Sequence, residues 1–328
     1  MQRMMLTLLV AFVMGIVLGK LLLPLLHKLK FGQNIYELAP EAHKKKQGTP
    51  TMGGLVIAGA AILAALVMND YGTPLSRDML FAMILMALGN MCIGFADDMT
   101  KIRRGKNGGL SPKQKMFFQT ILALAFSCYC YFHPQVGSAI EIPFVHAQLD
   151  LGIFYIPVMM FIIVGTTNSA NLLDGLDGLL TSVSMVDFLT LAVLCGAASL
   201  GGLGVGCAAM CGALMAFLAY NAYPAKMFMG DTGSMFIGGA IVAAAMLLKQ
   251  PLILILIAFW MLMSSVSDII QVSYFKYTKR KTGAGKRIFK MAPIHHHFEL
   301  CGIHETKIVT MYMVTTAILC IITLLGVL

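Results

Sequence analysis

Four polar side chains occur at a strict three-residue step within NSANLLDGLDGLL, residues 168–180. They are Asn168, Asn171, Asp174 and Asp177. Apolar runs long enough to cross a bilayer flank the segment. A carboxylate at the centre of a bilayer costs about 2.5 to 3.5 kcal/mol even on a lenient insertion scale, so these groups should not face lipid. We expect them to line a wet cavity or to lie at a membrane face; the alternative is an interhelical loop in which they only cap helices.

Further carboxylates lie at the ends of apolar runs. Asp97 and Asp98 end one run in GFADD, and Asp231 precedes another in FMGDTGS. Adjacent carboxylates repel each other unless a cation or a shared proton relieves them. Carboxylates without a thiolate pattern, combined with a phosphate ligand, favour Mg²⁺. We therefore predict a magnesium site, whereas the local alternative pairs Asp97 or Asp98 with Arg103 or Arg104 and makes Asp231 a helix cap.

Lysines accompany these carboxylates in the polar loops. Lys44, Lys45 and Lys46 run into GTPTMGG, and Lys113 and Lys115 precede another apolar run. Lysines beside a membrane also bind anionic lipid or fix topology. Their closeness to aspartate clusters is better explained by a polyanionic substrate.

Three consecutive histidines, His295, His296 and His297, occur in APIHHHFE. Consecutive residues of a helix or strand cannot all face one way, so they form a poor three-ligand metal site. We expect one or two of them to contact a phosphate or to relay a proton near neutral pH.

The elements that position these residues are predicted to be membrane helices. The chain has 328 residues, of which 58% are hydrophobic and only 12% charged, and this composition indicates an integral membrane protein. Ten apolar windows fall at about 4–26, 52–68, 79–96, 116–132, 151–167, 179–199, 202–220, 234–248, 251–271 and 307–327. We predict an all-α polytopic membrane protein of ten transmembrane helices in a single domain, residues 1–328. The loop 133–150 has strand-like content at 139–145 and could form a short external β-hairpin.

The basic residues predict the orientation of these spans. Of the 24 Lys and Arg residues, 20 fall in loops on one face, Lys20 lies inside the first span, and the other face has Arg3, Arg77 and Lys249. Because cytoplasmic loops are enriched in Lys and Arg, we predict a cytoplasmic active site and two extracytoplasmic termini. This asymmetry also explains the net charge of +9 without a nucleic-acid partner.

The motifs resemble those of one enzyme family, the phospho-N-acetylmuramoyl-pentapeptide transferases. These belong to the polyprenyl-phosphate N-acetylhexosamine-1-phosphate transferases. The resemblance is carried, in order, by GTPTMGG, GFADD, NLLDGLDG, FMGDTGS and APIHHHFE. TPTMGG and HHHFE favour the muramoyl branch, and Leu173 stands where other members often have Thr.

The resemblance implies an activity and its partners. The expected reaction transfers phospho-MurNAc-pentapeptide from UDP-MurNAc-pentapeptide to undecaprenyl phosphate with Mg²⁺, forming lipid I and UMP in peptidoglycan synthesis. The implied location is the bacterial inner membrane, as a homodimer. A sibling enzyme that uses UDP-GlcNAc is the nearest alternative. A polytopic transporter is the alternative from another class, and only Asp187, half way along 179–199, has the depth typical of one.

The resemblance also implies roles for individual residues. Asp231 would bind Mg²⁺, and Asp97 and Asp98 would handle the polyprenyl phosphate. Two routes stay open, since Asp97 could deprotonate that phosphate for direct attack or an aspartate could attack first. Phe228 would stack on uracil. The other expected nucleoside contacts are Asn171, Asp174, Asp177 and Asn221, and the expected contacts to phosphates or sugar are Lys46, Thr51, Lys115, His295, His296 and His297, with His295 also catalytic.

Overall fold

Helices account for nearly all regular structure in the computed structural model, which describes residues 1–28, 48–104 and 108–328. The first four are α1 (Gln2–Lys28), α2 (Gly54–Met68), α3 (Pro74–Arg104) and α4 (Pro112–Phe132). The next four are α5 (Tyr155–Leu173), α6 (Leu179–Ala197), α7 (Gly201–Asn221) and α8 (Gly230–Leu247). The chain ends with α9 (Leu254–Ile257), α10 (Phe259–Thr282), α11 (Ile294–Leu300) and α12 (Glu305–Val327), and short 3₁₀ turns precede α5 and α9.

Eight of the described helices are long and apolar enough to cross a membrane. A ninth span arises if Pro251–Ile257 and Phe259–Thr282, which are bent by 81° relative to each other, cross together. Helix α2 is apolar but has only 15 residues. The all-α polytopic class is therefore confirmed, and each of the ten predicted windows overlaps a helix or the bent pair. The count of ten spans stays a prediction.

Helix α8 lies at the centre of the bundle. Every residue from Thr232 to Leu247 is buried, and the helix packs on α2, α3 and α5. Small residues allow these close approaches, because helices in lipid associate mainly through van der Waals packing rather than a hydrophobic driving force. Gly94 of α3 lies directly against the Asp231 backbone, and Gly238 of α8 lies against Thr167 and Ala170 of α5. The packing of α8 therefore fixes the position of its first turn relative to α3.

The predicted β-hairpin is present. Strands β1 (Ala139–Ile142) and β2 (Ala147–Asp150) pair in antiparallel register. The hairpin is fastened by two backbone hydrogen bonds, from Glu141 N to the Lys249 carbonyl at 2.9 Å and from Phe144 N to the Gly326 carbonyl at 2.7 Å. Because Lys249 follows the C-terminal end of α8, the hairpin lies at the opposite end of α8 from Asp231.

Candidate functional site

Three carboxylates meet at the N-terminal end of α8. Helix α3 contributes Asp97 and Asp98, both 4% exposed, and α8 contributes Asp231. One oxygen atom from each carboxylate lies within 4.8 Å of the others. We call these three residues the carboxylate cluster. It brings together two of the motifs that the sequence singled out.

Asp98 caps helix α8 from outside. The first N–H groups of a helix have no intrahelical partner. The Asp98 carboxylate accepts hydrogen bonds from Thr232 N at 2.9 Å, from Thr232 Oγ1 at 2.7 Å and from Asp231 N at 3.3 Å. Met229 occupies the N-cap position and provides no side-chain cap. The alternative in which Asp231 caps its own helix is therefore wrong, and the Asp231 carboxylate is available for other partners.

Two lysines neutralise part of the cluster. Lys101 Nζ lies 2.6 Å from Asp97 Oδ2 and 3.2 Å from Asp231 Oδ2, while Lys115 Nζ lies 2.9 Å from the same Asp231 oxygen. Among the described ion pairs, neither Arg103 nor Arg104 contacts an aspartate, so the pairing of the local alternative is not observed. Sequence reasoning missed Lys101, although its spacing four residues after Asp97 on one helix was a usable signal.

Lys115 is positioned by a well-defined helix start. Ser111 and Gln114 form a capping box at the N-terminus of α4, with Ser111 N donating to Gln114 Oε1 at 3.0 Å. Pro112 occupies the first turn, where its missing N–H costs no hydrogen bond. This start places Lys115 beside the cluster. The segment before it also contributes, because Leu110 N donates to Asp97 Oδ1 at 2.8 Å.

Asn171 lies against the cluster. Its Nδ2 donates to Asp231 Oδ1 at 2.9 Å and to Ser234 Oγ at 2.8 Å, and its Oδ1 accepts from Lys115 Nζ at 3.2 Å. The resemblance assigned Asn171 to the nucleoside, whereas the structure joins its side chain to Lys115 and Asp231. Ser234 was not anticipated from the sequence.

Asp174 follows the end of α5 and is partly buried. Burial raises the pKa of its carboxyl to about 8, and the negative charges of Asp231, Asp98 and Asp177 add to this effect. In this structure Asp174 is therefore mainly protonated at neutral pH, and it would ionise when positive charge enters the site.

Asp177 and Asn221 organise the loop that leads to Phe228. Asp177 Oδ2 accepts a hydrogen bond from Ala225 N at 2.9 Å, and Asn221 Nδ2 donates to the Met227 carbonyl at 3.0 Å. Both side chains are nearly inaccessible. We call residues 222–228 the nucleotide loop, because the resemblance implies that Phe228 stacks on uracil. These contacts give Asp177 and Asn221 a role in shaping it, which the sequence pattern alone did not indicate.

Thr51 and Phe228 are brought together by backbone pairing between their segments. Phe228 N donates to the Pro50 carbonyl at 2.8 Å, and Gly53 N donates to the Phe228 carbonyl at 2.8 Å. Gly230 has a positive φ of 69°, and a side chain there would collide with Asp98 and Thr51. The GTPTMGG and FMGDTGS motifs thus form one surface beside the cluster. Lys46 lies outside the described residues.

The three histidines begin helix α11 and face different ways, as predicted. His295 is fully buried and its imidazole lies against Gly175. His296 Nδ1 is 3.2 Å from Glu299 Oε2. His297 Nδ1 accepts from Lys290 N at 3.1 Å, so its side chain packs on the preceding loop. Of the three, His295 reaches the segment 171–178.

Asp187 lies apart from the cluster, fully buried within α6. Its Oδ1 is 3.9 Å from Cys320 Sγ of α12. The structure thus separates it from the polar groups at the end of α8.

The donor set fits Mg²⁺. The three carboxylates supply hard oxygen ligands, and Mg²⁺ is usually bound by one or two carboxylates together with water and substrate phosphates. Three carboxylates face two lysines, Lys101 and Lys115, so a net negative charge remains to attract a divalent cation. Asp231 and Asp97 are the best placed ligands, because Asp98 already caps α8.

The chain is similar to known transferases over nearly its whole length. A family model described as glycosyl transferase family 4 matches residues 80–249, and the phospho-N-acetylmuramoyl-pentapeptide-transferase signature 1 matches residues 46–57. The phospho-N-acetylmuramoyl-pentapeptide-transferase of Clostridium novyi (strain NT) is 46% identical over 322 residues, covering 98% of this chain and 96% of that protein. The enzyme of the same name from Clostridium perfringens (strain SM101 / Type A) is 46% identical, covering 95% of this chain and 93% of that protein. The one from Clostridium kluyveri (strain NBRC 12016) is 45% identical, covering 98% of each chain.

Proposed function

The chain belongs to the phospho-N-acetylmuramoyl-pentapeptide-transferase family, and from that premise we propose that it transfers phospho-MurNAc-pentapeptide from UDP-MurNAc-pentapeptide to undecaprenyl phosphate. The products are lipid I and UMP, and the reaction is a step of peptidoglycan synthesis. The observation that carries the proposal is the carboxylate cluster with Lys101 and Lys115 at the end of a membrane helix. A lipid phosphate and a soluble pyrophosphate can both reach such a position.

Asp231 would hold Mg²⁺, with Asp97 beside it and Asp98 nearby as the cap of α8. The ion supplies positive charge that offsets the charge of the phosphate groups. Phosphoryl transfer depends mainly on positioning and on stabilisation of charge, so the site requires no unusual nucleophile. The lysines extend this stabilisation, because on substrate binding each can exchange a carboxylate partner for a phosphate oxygen.

We propose direct attack by the lipid phosphate. Its oxygen forms a bond to the sugar-linked phosphorus, and the bond between that phosphorus and the bridging oxygen breaks, so that UMP leaves. Asp97 accepts the proton of the lipid phosphate when that phosphate arrives protonated. The Asp97 side chain is suitable because two contacts hold it in place. Lys101 Nζ lies 2.6 Å from Asp97 Oδ2, and Leu110 N donates to Asp97 Oδ1 at 2.8 Å.

The donor nucleoside would bind at the nucleotide loop, with Phe228 stacked on uracil. His295 would lie over the phosphates or sugar from its place against Gly175, and Thr51 would complete the surface beside Gly230. We place the site at the cytoplasmic face of the inner membrane, both termini outside, in a homodimer. The distribution of Lys and Arg supports the orientation.

A product assay tests the proposal. Purified protein is given UDP-MurNAc-pentapeptide, undecaprenyl phosphate and Mg²⁺, and the lipid product and UMP are measured. We expect a kcat/KM at least about 10³ above that for UDP-GlcNAc, equivalent to about 4 kcal/mol of transition-state discrimination. Preference for UDP-GlcNAc would assign the chain to the sibling activity, and absence of any lipid-linked product would overturn the proposal.

A further inference from the structure

The beginning of α12 reaches beneath the nucleotide loop. Glu305 is the first residue of that helix and is 6% exposed. Its carboxylate accepts a hydrogen bond from Asp177 N, and the ring of the preceding His304 lies 5.3 Å from the ring of Tyr223. The last helix therefore contacts both the segment between α5 and α6 and the loop after α7.

A chain of hydrogen bonds connects Glu305 to the loop that leads to Phe228, the residue expected to stack on uracil. Glu305 fixes the Asp177 peptide, and the Asp177 side chain in turn accepts from Ala225 N at 2.9 Å. Ala225 lies in the nucleotide loop, three residues before Phe228. A second support comes from Asn221, which donates to the Met227 carbonyl at 3.0 Å.

The Asp177 peptide depends on such an external acceptor because glycines flank it. Gly175 and Gly178 are two residues before and one residue after Asp177, and Gly178 has a positive φ of 77°. Glycine leaves the chain many accessible conformations, so the order of this turn must come from its contacts. A hydrogen bond between a backbone N–H and an ionised carboxylate is among the stronger contacts available.

We propose that Glu305 is a positioning residue that sets the affinity of the enzyme for the nucleotide part of the donor. The inference rests on the proposed function. Glu305 lies outside residues 80–249, which the family model matches. In the described part of the chain, the group of carboxylates that could hold a metal ion comprises Asp97, Asp98 and Asp231 without it. Its substitution should therefore affect donor binding more than the chemical step.

The test compares Glu305→Ala, Glu305→Asp and Glu305→Gln in steady-state assays. Glu305→Ala removes the acceptor and should raise the donor KM and the inhibition constant of UMP about 10-fold. Its kcat and its KM for undecaprenyl phosphate should stay within about 2-fold of the wild-type values. The 10-fold change corresponds to about 1.4 kcal/mol, within the range for a typical intramolecular hydrogen bond. In Glu305→Asp the shorter side chain cannot reach Asp177 N, so the donor KM and the UMP inhibition constant should both rise. In Glu305→Gln the amide oxygen can still accept from Asp177 N, so both constants should stay within about 3-fold of the wild-type values.

Glu141→Ala is the matched control. Glu141 also accepts a side-chain hydrogen bond across elements, from Gln250 Nε2 at 2.8 Å, but it lies at the opposite end of α8. Its donor KM should be unchanged. An unaltered donor KM in Glu305→Ala, or a fall in kcat without a change in the UMP constant, would overturn the inference. If Glu305→Ala does not accumulate, equal donor constants for Glu305→Asp and Glu305→Gln would overturn it equally. A wild-type enzyme that makes no product would instead refute the proposed function.

Discussion

Asp231 is the residue on which most contacts of the site converge. Lys101, Lys115 and Asn171 all bind its carboxylate, while Asp98 holds the backbone from which it projects. A group held from several sides keeps its position when one contact is exchanged for substrate, and such preorganisation is the main source of electrostatic catalysis.

Removing one charge from the cluster should therefore strongly reduce turnover. We expect Asp97→Asn and Asp231→Asn each to lower kcat about 100-fold or more, at unchanged protein level. Asp231→Asn should also raise the Mg²⁺ concentration required for half-maximal activity, as measured by Mg²⁺ titration after treatment with a chelator. Asp70→Asn is the control, because Asp70 is exposed and pairs with Arg3 far from the cluster. Near wild-type turnover in either cluster variant would contradict the assigned roles.

The pKa of Asp174 predicts a pH dependence of stability. Its folded-state pKa of about 8 exceeds the ordinary value of 3.8, so its stabilising contribution is complete below about pH 4 and is lost as pH rises through 8. Asp174→Asn has no such loss. In the absence of divalent cations, we compare the melting temperature of Asp174→Asn with that of wild type at the same pH. The difference, variant minus wild type, should be larger by about 2 °C or more at about pH 9 than at about pH 5. Thermal unfolding in detergent measures this, and a difference independent of pH would show that the Asp174 pKa is not raised.

For individual residues, the sequence indicated which side chains form the site better than it indicated the role of each. The clusters of Asp, Lys and His were visible because polar groups are rare in apolar segments. The roles of Asp98 and Asp177 were not visible in the sequence, because each side chain accepts from backbone N–H groups in a distant part of the chain. Glu305 left no local signal, since its partner is 128 residues away.

The crossing of α3 and α8 is the element that forms the cluster. Gly94 lies three residues before Asp97, so the same close approach that buries its backbone aligns the three carboxylates. The hydrophobic windows predicted the positions of the helices well, because length and hydropathy determine them. They could not predict which helices cross, since this depends on how small residues match between helices.

Enlarging Gly94 should separate the two helices. A Cβ at Gly94 would overlap the Asp231 backbone, which cannot rotate away as a side chain could. We expect Gly94→Ala to destabilise the protein by about 1 to 3 kcal/mol and to lower turnover, measured by thermal unfolding and by the product assay. Gly165→Ala on α5 is the matched control, because a Cβ there meets no neighbouring atom within 4 Å. If the two variants behaved alike, the crossing would not limit the site.

For the whole molecule, the orientation in the membrane can be measured directly. Single cysteines are placed at Thr282, in the last turn of α10, and at Gly137, beside the hairpin, in a cysteine-free background. An impermeant thiol reagent applied to intact cells should label position 137 and leave position 282 protected. Labelling of position 282 from outside would reverse the proposed orientation and place the carboxylate cluster on the outer side.

The complete enclosure of α8 has a consequence for biogenesis. Its best window has a mean hydropathy of 1.3, compared with 2.5 for α1, and the residues from Thr232 to Leu247 are all buried. Such a segment gains less by partitioning into lipid alone than α1 does. Its partners α2, α3 and α5 are synthesised before it, so α8 can enter the bilayer between neighbours already in place. Faulty insertion of α3 or α5 would then leave α8 without the neighbours that bury it, and Asp231 would not reach Asp97.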